Sequence, residues 1–398
     1  MTIKESWLLP EGIDELLPEE ASQLECLHRS LVDRMRSWGY QLVVPPLVEY
    51  LDSLLTGTAK TLDIQTFKLT DQMSGRMLGI RADMTPQVAR IAAHKMRGQS
   101  DVLRLCYIGS VLHTLPEGQA SSRNPIQLGA EIYGHAGPES DVESIQLMVD
   151  LLAVSGAVST VALDIGHVGI FRGLASYAGL DTHQEQELFS ALQRKAAADI
   201  DSLLTQYRLA DDARQMLQAL AELNGDARVL ATAQQQLVKA PASVQQALDT
   251  LIRINDMLTQ RIPNIAINFD LAELRGYHYH TGVVFAAYKP GSAQAIAAGG
   301  RYDDIGEHFG HAQPATGFSM DLKKIATLLP TADNACRAES ISVAWQDDPA
   351  LEEMVASLRN DGKIVIYQMP GTEITTTHTL VKQAGHWQVT ETGTQTRG

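Results

Sequence analysis

A chain of 398 residues with 44% hydrophobic and 20% charged residues has the composition of a folded globular protein of about two or three domains, which excludes an intrinsically disordered one. Its formal net charge of −15, from 32 Lys and Arg against 47 Asp and Glu, argues against a broad nucleic-acid-binding surface. Cys26, Cys106 and Cys336 stand far apart with no CxxC spacing, so neither a disulfide framework nor a thiolate metal site is expected, and the cytoplasm is the expected compartment.

The N-terminal "MTIKESWLLPEGIDELLPEEA" carries acids early and lacks the basic patch and apolar run of a leader. From Pro18 to Trp38, apolar residues at Leu24, Leu27, Leu31, Met35 and Trp38 recur at helical spacing, and Gly39 ends the helix. "QLVVPPLVEY" reads as an extended segment that Pro45 and Pro46 confine to an edge, a bend or an interface. "TFKLTDQMSGRMLGI" reads as a hairpin, and "RADMTPQVARIAAHK" as a turn into a helix. "VLRLCYIGSVLHT" and "PIQLGAEIYG" form a second, long-looped hairpin. Asp150 and Asp164 interrupt the longest apolar run, so no membrane span is expected. Strand signals then give way to Ala, Gln and Leu-rich helical windows and resume at "IAINFDLAELRGYHYHTGVVFAAY". The expected organisation is a core in two parts, 1–168 and 261–330, a mainly helical insertion at 169–260, and a small α/β domain at 331–398.

The stretch "ELRGYHYHTGVVF" carries the densest chemistry. His278 and His280, two apart, would share one face of a regular strand, but no third ligand stands at a recognisable spacing, so no metal is expected. A small-molecule pocket suits the residues better: Arg275 for a carboxylate, Gly276 and Gly282 for close backbone approach, and Tyr277, Tyr279 and His280 for walls. In "QLGAE", Gln127 and Glu131 fall on one strand face and could receive an ammonium or an imidazole N–H. The glycine-rich loop around "GGRYDD" has neither dinucleotide nor P-loop spacing, and no cofactor is expected.

Together and in this order, these motifs resemble the core of a class II aminoacyl-tRNA synthetase, specifically histidyl-tRNA synthetase, over about residues 8–328. "GYQLVVPPLVE" resembles that family's first, dimer-forming motif, and "YIGSVLHTLPEGQASSRNPIQLGAE" its second. "ATGFSMDL" is similar to the start of its third, and "LRGYHYHTGVVF" with "GGRYDD" to its histidine signatures. The resemblance implies an α+β fold with a mixed, mostly antiparallel sheet flanked by helices. It places Asp83 and Thr85 at the ligand ammonium, Gln127 and Glu131 where the ligand is read, and Arg275 near its carboxylate. The family's aromatic partner for the imidazole falls at His280, and its usual acid at the ammonium turn is shortened to Asp83.

The departures lie at the nucleotide. His113 stands where the synthetases place an arginine on the ATP α-phosphate, and Lys324 where a second arginine meets the triphosphate. Lysine lacks the guanidinium fork, and losing one preorganised electrostatic group costs roughly 10²–10³ in rate, so adenylation is not expected. The tail, with 5 Lys or Arg against 9 acids after Pro330, does not suit a tRNA stem. A synthetase relative of this kind resembles the regulatory subunits of ATP phosphoribosyltransferase, whose own signatures "YHTGVVFAAY" and "LPEGIDELLPEEA" look like. That resemblance implies a noncatalytic, homodimeric subunit that activates a short-form catalytic subunit in the first step of histidine biosynthesis, with L-histidine as inhibitory effector. The alternatives are a divergent histidyl-tRNA synthetase-like enzyme and a stand-alone amino-acid-binding regulator.

Overall fold

The computed structural model describes residues 8–56, 60–116, 122–156, 161–277, 279–329 and 340–392, and the chain divides into two units, Met1–Pro330 and Thr331–Gly398. The first helix, Pro18–Ser37, starts where proline fixes the backbone and the Glu20 carboxylate accepts from the Leu17 N–H. It buries Leu27, Leu31 and Met35 on one face and ends at Gly39, whose φ of +85° suits glycine.

Among the described residues, a nine-stranded sheet organises the first unit. Its order is Gln41–Leu42, Leu103–Ser110, Ile126–Tyr133, Ala315–Asp321, Ala295–Arg301, Val283–Tyr288, Ala162–His167, Ala266–Asp270 and Asn224–Gly225. The pairs Gln41–Leu42 with Leu103–Ser110 and Ala162–His167 with Ala266–Asp270 are parallel, and the other neighbours are antiparallel. The sheet is therefore mixed and mostly antiparallel, as the sequence implied. A small sheet of Val48–Tyr50, Met77–Ile80 and Phe67–Thr70 stands beside it and includes the first hairpin.

Alternation along the central strands sorts their side chains into two populations. Leu128, Ala130 and Ile132 join a hydrophobic cluster with the helices Pro18–Ser37, Pro138–Val154, Val168–Ala178 and Ala242–Arg261. Gln127, Gly129 and Glu131 alternate with them, so they occupy the opposite face. Between 168 and 261 the chain consists of helices joined by turns, with the two-residue strand Asn224–Gly225 among them, and these helices share that same cluster. In the second unit, the strands Ile364–Gln368, Ser340–Ala344, His378–Gln383 and His386–Glu391 form a sheet in that order, with the helix Pro349–Asn360 supplying Leu351 and Val355 to its core.

Several expectations need correction. Residues 273–277 and 279–280 belong to a turn rather than a strand: Ala266–Asp270 ends before them and Val283–Tyr288 begins after them, so strand alternation does not govern His280, and His278 lies outside the described residues. The reason is Gly276, whose φ of +64° reverses the chain. Conversely, Gly299 and Gly300 belong to the strand Ala295–Arg301 rather than to a loop. His378–Gln383 is a strand the sequence reading passed over. Cys26 is disulfide-bonded, which three isolated cysteines with no local signature of a pairing did not announce. Cys106 is a buried free thiol, pushed up to about 12 by burial. No described helix is long and apolar enough to cross a membrane.

Arg301 pins the sheet to the helical layer. Its guanidinium donates to Asp141 Oδ2 at 3.0 and 3.2 Å, to the His135 and Gly137 carbonyls, to Ser140 Oγ, and to Asp303 Oδ1. Arg301 and Asp141 are both buried. Removing one partner of such a pair strands the other charge in the interior, which costs about 3–5 kcal/mol. Arg301→Ala is therefore expected to lose about that much in urea unfolding. A loss below about 1 kcal/mol, as for an exposed pair, would show that the network contributes little.

Candidate functional site

The face of the central sheet opposite the helical cluster makes the floor of a cavity of about 190 Å³. Antiparallel register places Glu131, Gly317, Gly300 and Val284 in one row across four strands. Gly129, Ser319, Ala298 and Ala286 form the next row. Small residues leave the room: a Cβ on Gly317 would stand 1.6 Å from Glu131 Oε2. Such volume is below the ~300–1,000 Å³ of drug-sized sites and matches a small metabolite.

Glu131 is 1% exposed. Its Oε1 accepts from the Tyr107 hydroxyl at 2.9 Å and its Oε2 from the Tyr302 hydroxyl. Tyr107 in turn meets Thr85 Oγ1 at 2.9 Å. Burial pushes the carboxyl from its ordinary 4.5 up to about 8, against the opposing pull of the two phenols. Asp83 stands at the same side, where its Oδ1 accepts from Thr85 N at 3.0 Å and from Gln127 Nε2 at 2.7 Å. Gln127 Oε1 accepts from Met84 N at 2.8 Å, which fixes the "RADMT" turn to the sheet.

The turn after Asp270 supplies the other walls. Tyr279 stacks on Tyr302 at 5.2 Å, and its buried hydroxyl has no hydrogen-bond partner among the described residues. His280 packs edge-on to Tyr279 at 5.4 Å with Nδ1 3.2 Å from the Arg275 carbonyl, and burial holds it down at about 4, so the ring is neutral at neutral pH. Arg275 donates to the Tyr288 hydroxyl at 2.6 Å and to Glu273 Oε2 at 3.3 Å. Burial works against its charge, and Glu273 and Tyr288 more than offset it.

Six of the eight expected pocket residues meet at this cavity: Asp83, Thr85, Glu131, Arg275, Tyr279 and His280. Gln127 supports Asp83 instead of lining the cavity. Tyr277 is a correction, because the turn aims it the other way, between Phe171 and Phe189. His113 and Lys324 also lie outside the lining: His113 Nε2 meets the Ala82 carbonyl at 2.9 Å, and Lys324 Nζ donates to the Ala295 carbonyl at 2.7 Å. The sequence reading missed Tyr107, Tyr302 and Glu273. Tyr107 follows from pairing with Gly129, whose missing side chain makes room for its ring. No group of three metal-ligating side chains occurs among the described residues.

Glu131 also sets a pH dependence. Its folded value lies above its ordinary one, so the unfolded chain releases this proton first, and the carboxyl's contribution to stability falls as pH rises from about 4.5 to about 8. Glu131→Gln removes that titration. Its urea-unfolding free energy, relative to the parent, is expected to improve steadily across the interval, and a pH-independent difference would place Glu131 in its ordinary range.

Sequence comparisons agree with this architecture. The histidyl-tRNA synthetase family model matches residues 12–325, and that of the ATP phosphoribosyltransferase subunit HisZ C-terminal domain matches residues 338–390. The chain is 52% identical over 396 residues to the ATP phosphoribosyltransferase regulatory subunit of Nitrosococcus oceani, covering 98% of each. It is 51% identical to that of Pseudomonas putida, covering 98% of this chain and 99% of the relative. A solved ATP phosphoribosyltransferase regulatory subunit/histidyl-tRNA synthetase from Bacillus halodurans superposes with a TM-score of 0.81 at 25% identity, covering 93% of this chain and 94% of that one. Histidyl-tRNA synthetase from Nostoc shares the fold with a TM-score of 0.78 at 18% identity, covering 97% of each chain. With half of its residues identical across nearly its whole length, the chain belongs to the ATP phosphoribosyltransferase regulatory subunit family, built on a histidyl-tRNA synthetase core.

Proposed function

We propose that this protein is a noncatalytic regulatory subunit that activates a short-form ATP phosphoribosyltransferase catalytic subunit and carries feedback inhibition by L-histidine, in the cytoplasm and without a cofactor or nucleic-acid partner. The observation that carries the reading is the cavity itself. Around one amino-acid-sized space it gathers Glu131 and Asp83 with Arg275 and the rings of Tyr279 and His280. The two carboxyl groups suit an ammonium and an imidazole N–H, and the guanidinium suits a carboxylate. Tyr279 and His280 supply aromatic walls and a free hydroxyl.

Histidine acts by linkage: it binds the active and inhibited arrangements with different affinity, and a coupling of about 1–3 kcal/mol gives several-fold to hundred-fold inhibition. A ligand ammonium against Glu131 supplies a counter-charge, and a ligand N–H a hydrogen bond, that favours the carboxylate, so binding and loss of the Glu131 proton are linked. In this reading 1–168 and 261–330 form the synthetase-like core, 169–260 an insertion and 331–398 a tail domain. The homodimer forms through the first-motif region, where Leu42 in the sheet's terminal strand and Val44 and Leu47 shortly after it are exposed.

The test is phosphoribosyl transfer by a short-form catalytic subunit, titrated with this chain and then with histidine. Stimulation that histidine reverses is expected. Glu131→Ala and Arg275→Ala, each normalised to its own stimulation without histidine, are expected to raise the half-inhibiting concentration at least about tenfold. Full histidine sensitivity in both variants would place the effector site elsewhere.

A further inference from the structure

The turn between Asp270 and Gly282 has two working faces. Arg275, Tyr279 and His280 face the cavity. Tyr277, 4% exposed, faces the helical segment, where its ring lies 5.5 Å from Phe171 and 5.2 Å from Phe189. Its hydroxyl donates to Glu185 Oε1 at 2.5 Å. Arg172 Nη2 donates to the carbonyls of Tyr277 at 2.9 Å and His280 at 3.2 Å, with its guanidinium 5.0 Å from the Tyr277 ring. Lys195 Nζ meets Asp270 Oδ2 at 2.7 Å, and Leu271 N donates to the Leu223 carbonyl at 3.0 Å. All these partners come from the helical stretch 168–261, and none of its residues lines the cavity. The turn is thus a direct connection between those helices and the cavity.

We propose that Tyr277, with Arg172, is a latch that couples occupancy of the effector pocket to the packing of the helices Val168–Ala178 and Thr182–Gln193. This rests on the histidine reading of the pocket. A carboxylate held by Arg275 and a ring held by Tyr279 and His280 restrict the turn, and with it the two carbonyls that Arg172 holds from behind. The ring of Tyr277 is then kept in its slot. Because coupling is reciprocal, whatever shifts these helices changes histidine affinity by the same factor that histidine changes theirs. Tyr277 is a positioning residue, not a ligand contact.

The experiment is amide hydrogen exchange on the full chain with and without L-histidine, paired with calorimetric titration. In the parent, histidine is expected to slow exchange in both the cavity strands and residues 168–193. Tyr277→Phe keeps the ring and removes only the hydroxyl. It is expected to lower affinity about fivefold, the worth of one hydrogen bond, and to lose the protection of 168–193 while keeping that of the cavity strands. Glu185→Gln keeps an acceptor for the hydroxyl and is expected to retain both. Histidine binding with protection confined to the cavity strands, or a Tyr277→Phe chain that binds and protects like the parent, would overturn the latch alone. A parent chain that binds no histidine would overturn the reading of the pocket, and the latch with it.

Discussion

A carboxyl group in the middle of a nine-stranded sheet is the constraint around which the first unit is arranged. Burying Glu131 without partners would cost more than a typical single interaction returns, so its neighbours are fixed in kind as well as in place. Both oxygens take phenolic donors, from Tyr107 on the adjacent strand and Tyr302 just past Arg301. The residue opposite on the next strand is glycine, because a Cβ there would overlap the carboxylate. Tyr107 reaches its position only because Gly129 leaves space beneath the ring. Arg301, tied to Asp141 and the backbone of the helical layer, fixes the strand end from which Tyr302 extends. The site and the sheet are therefore one packing problem.

The same sheet separates two environments. Its helical face carries an apolar cluster that continues through the helices between 168 and 261, while its other face is floored with Gly, Ala and Ser. Lys324, which stands where the synthetases place their second arginine, is engaged elsewhere and holds the Ala295 carbonyl. Arg123 donates to the carbonyls of His113 and Glu11, which draws the N-terminal segment across the hairpin. Lys323 reinforces that placement through Asp14 at 2.9 Å. Lys324 thus supports chain placement at a position where an adenylating enzyme needs charge directed at phosphate.

Local physics made much of this legible. The Pro18–Ser37 helix followed from its three- and four-residue apolar spacing, and both hairpins followed from alternation around polar turns. Gln127 and Glu131 share a face because strand period leaves no other choice. The misses have a common cause, which is that close approach across strands has no local signature. Gly299 and Gly300 read as loop residues, yet they are glycines because Gly317 and Val283 backbone atoms crowd them. Tyr107 and Tyr302 sit in ordinary apolar and polar contexts and acquire their role only through register. Tyr277 and Tyr279 part company because the segment is a turn, where Gly276 rotates the chain and sends residues two apart to different layers, a separation no local pattern announces.

Under the proposed function, the raised value of Glu131 also bears on selectivity. A neutral carboxyl held by two phenols is stable without a ligand, so the cavity needs no counter-ion to persist. An amino acid whose side chain offers only apolar atoms to Glu131 gains little from it and displaces whatever hydrated it. One that brings an N–H donor or a cation recovers a charge-assisted bond in a low-dielectric site, where such bonds are strongest. Sites built on buried hydrogen-bonding groups reject ligands lacking the partner far more strongly than apolar pockets reject a missing methylene, by factors of roughly 10⁴ against roughly 10². A regulator that must ignore every amino acid but one gains that discrimination from a buried acid, at the cost of the tyrosines and glycines needed to keep it there.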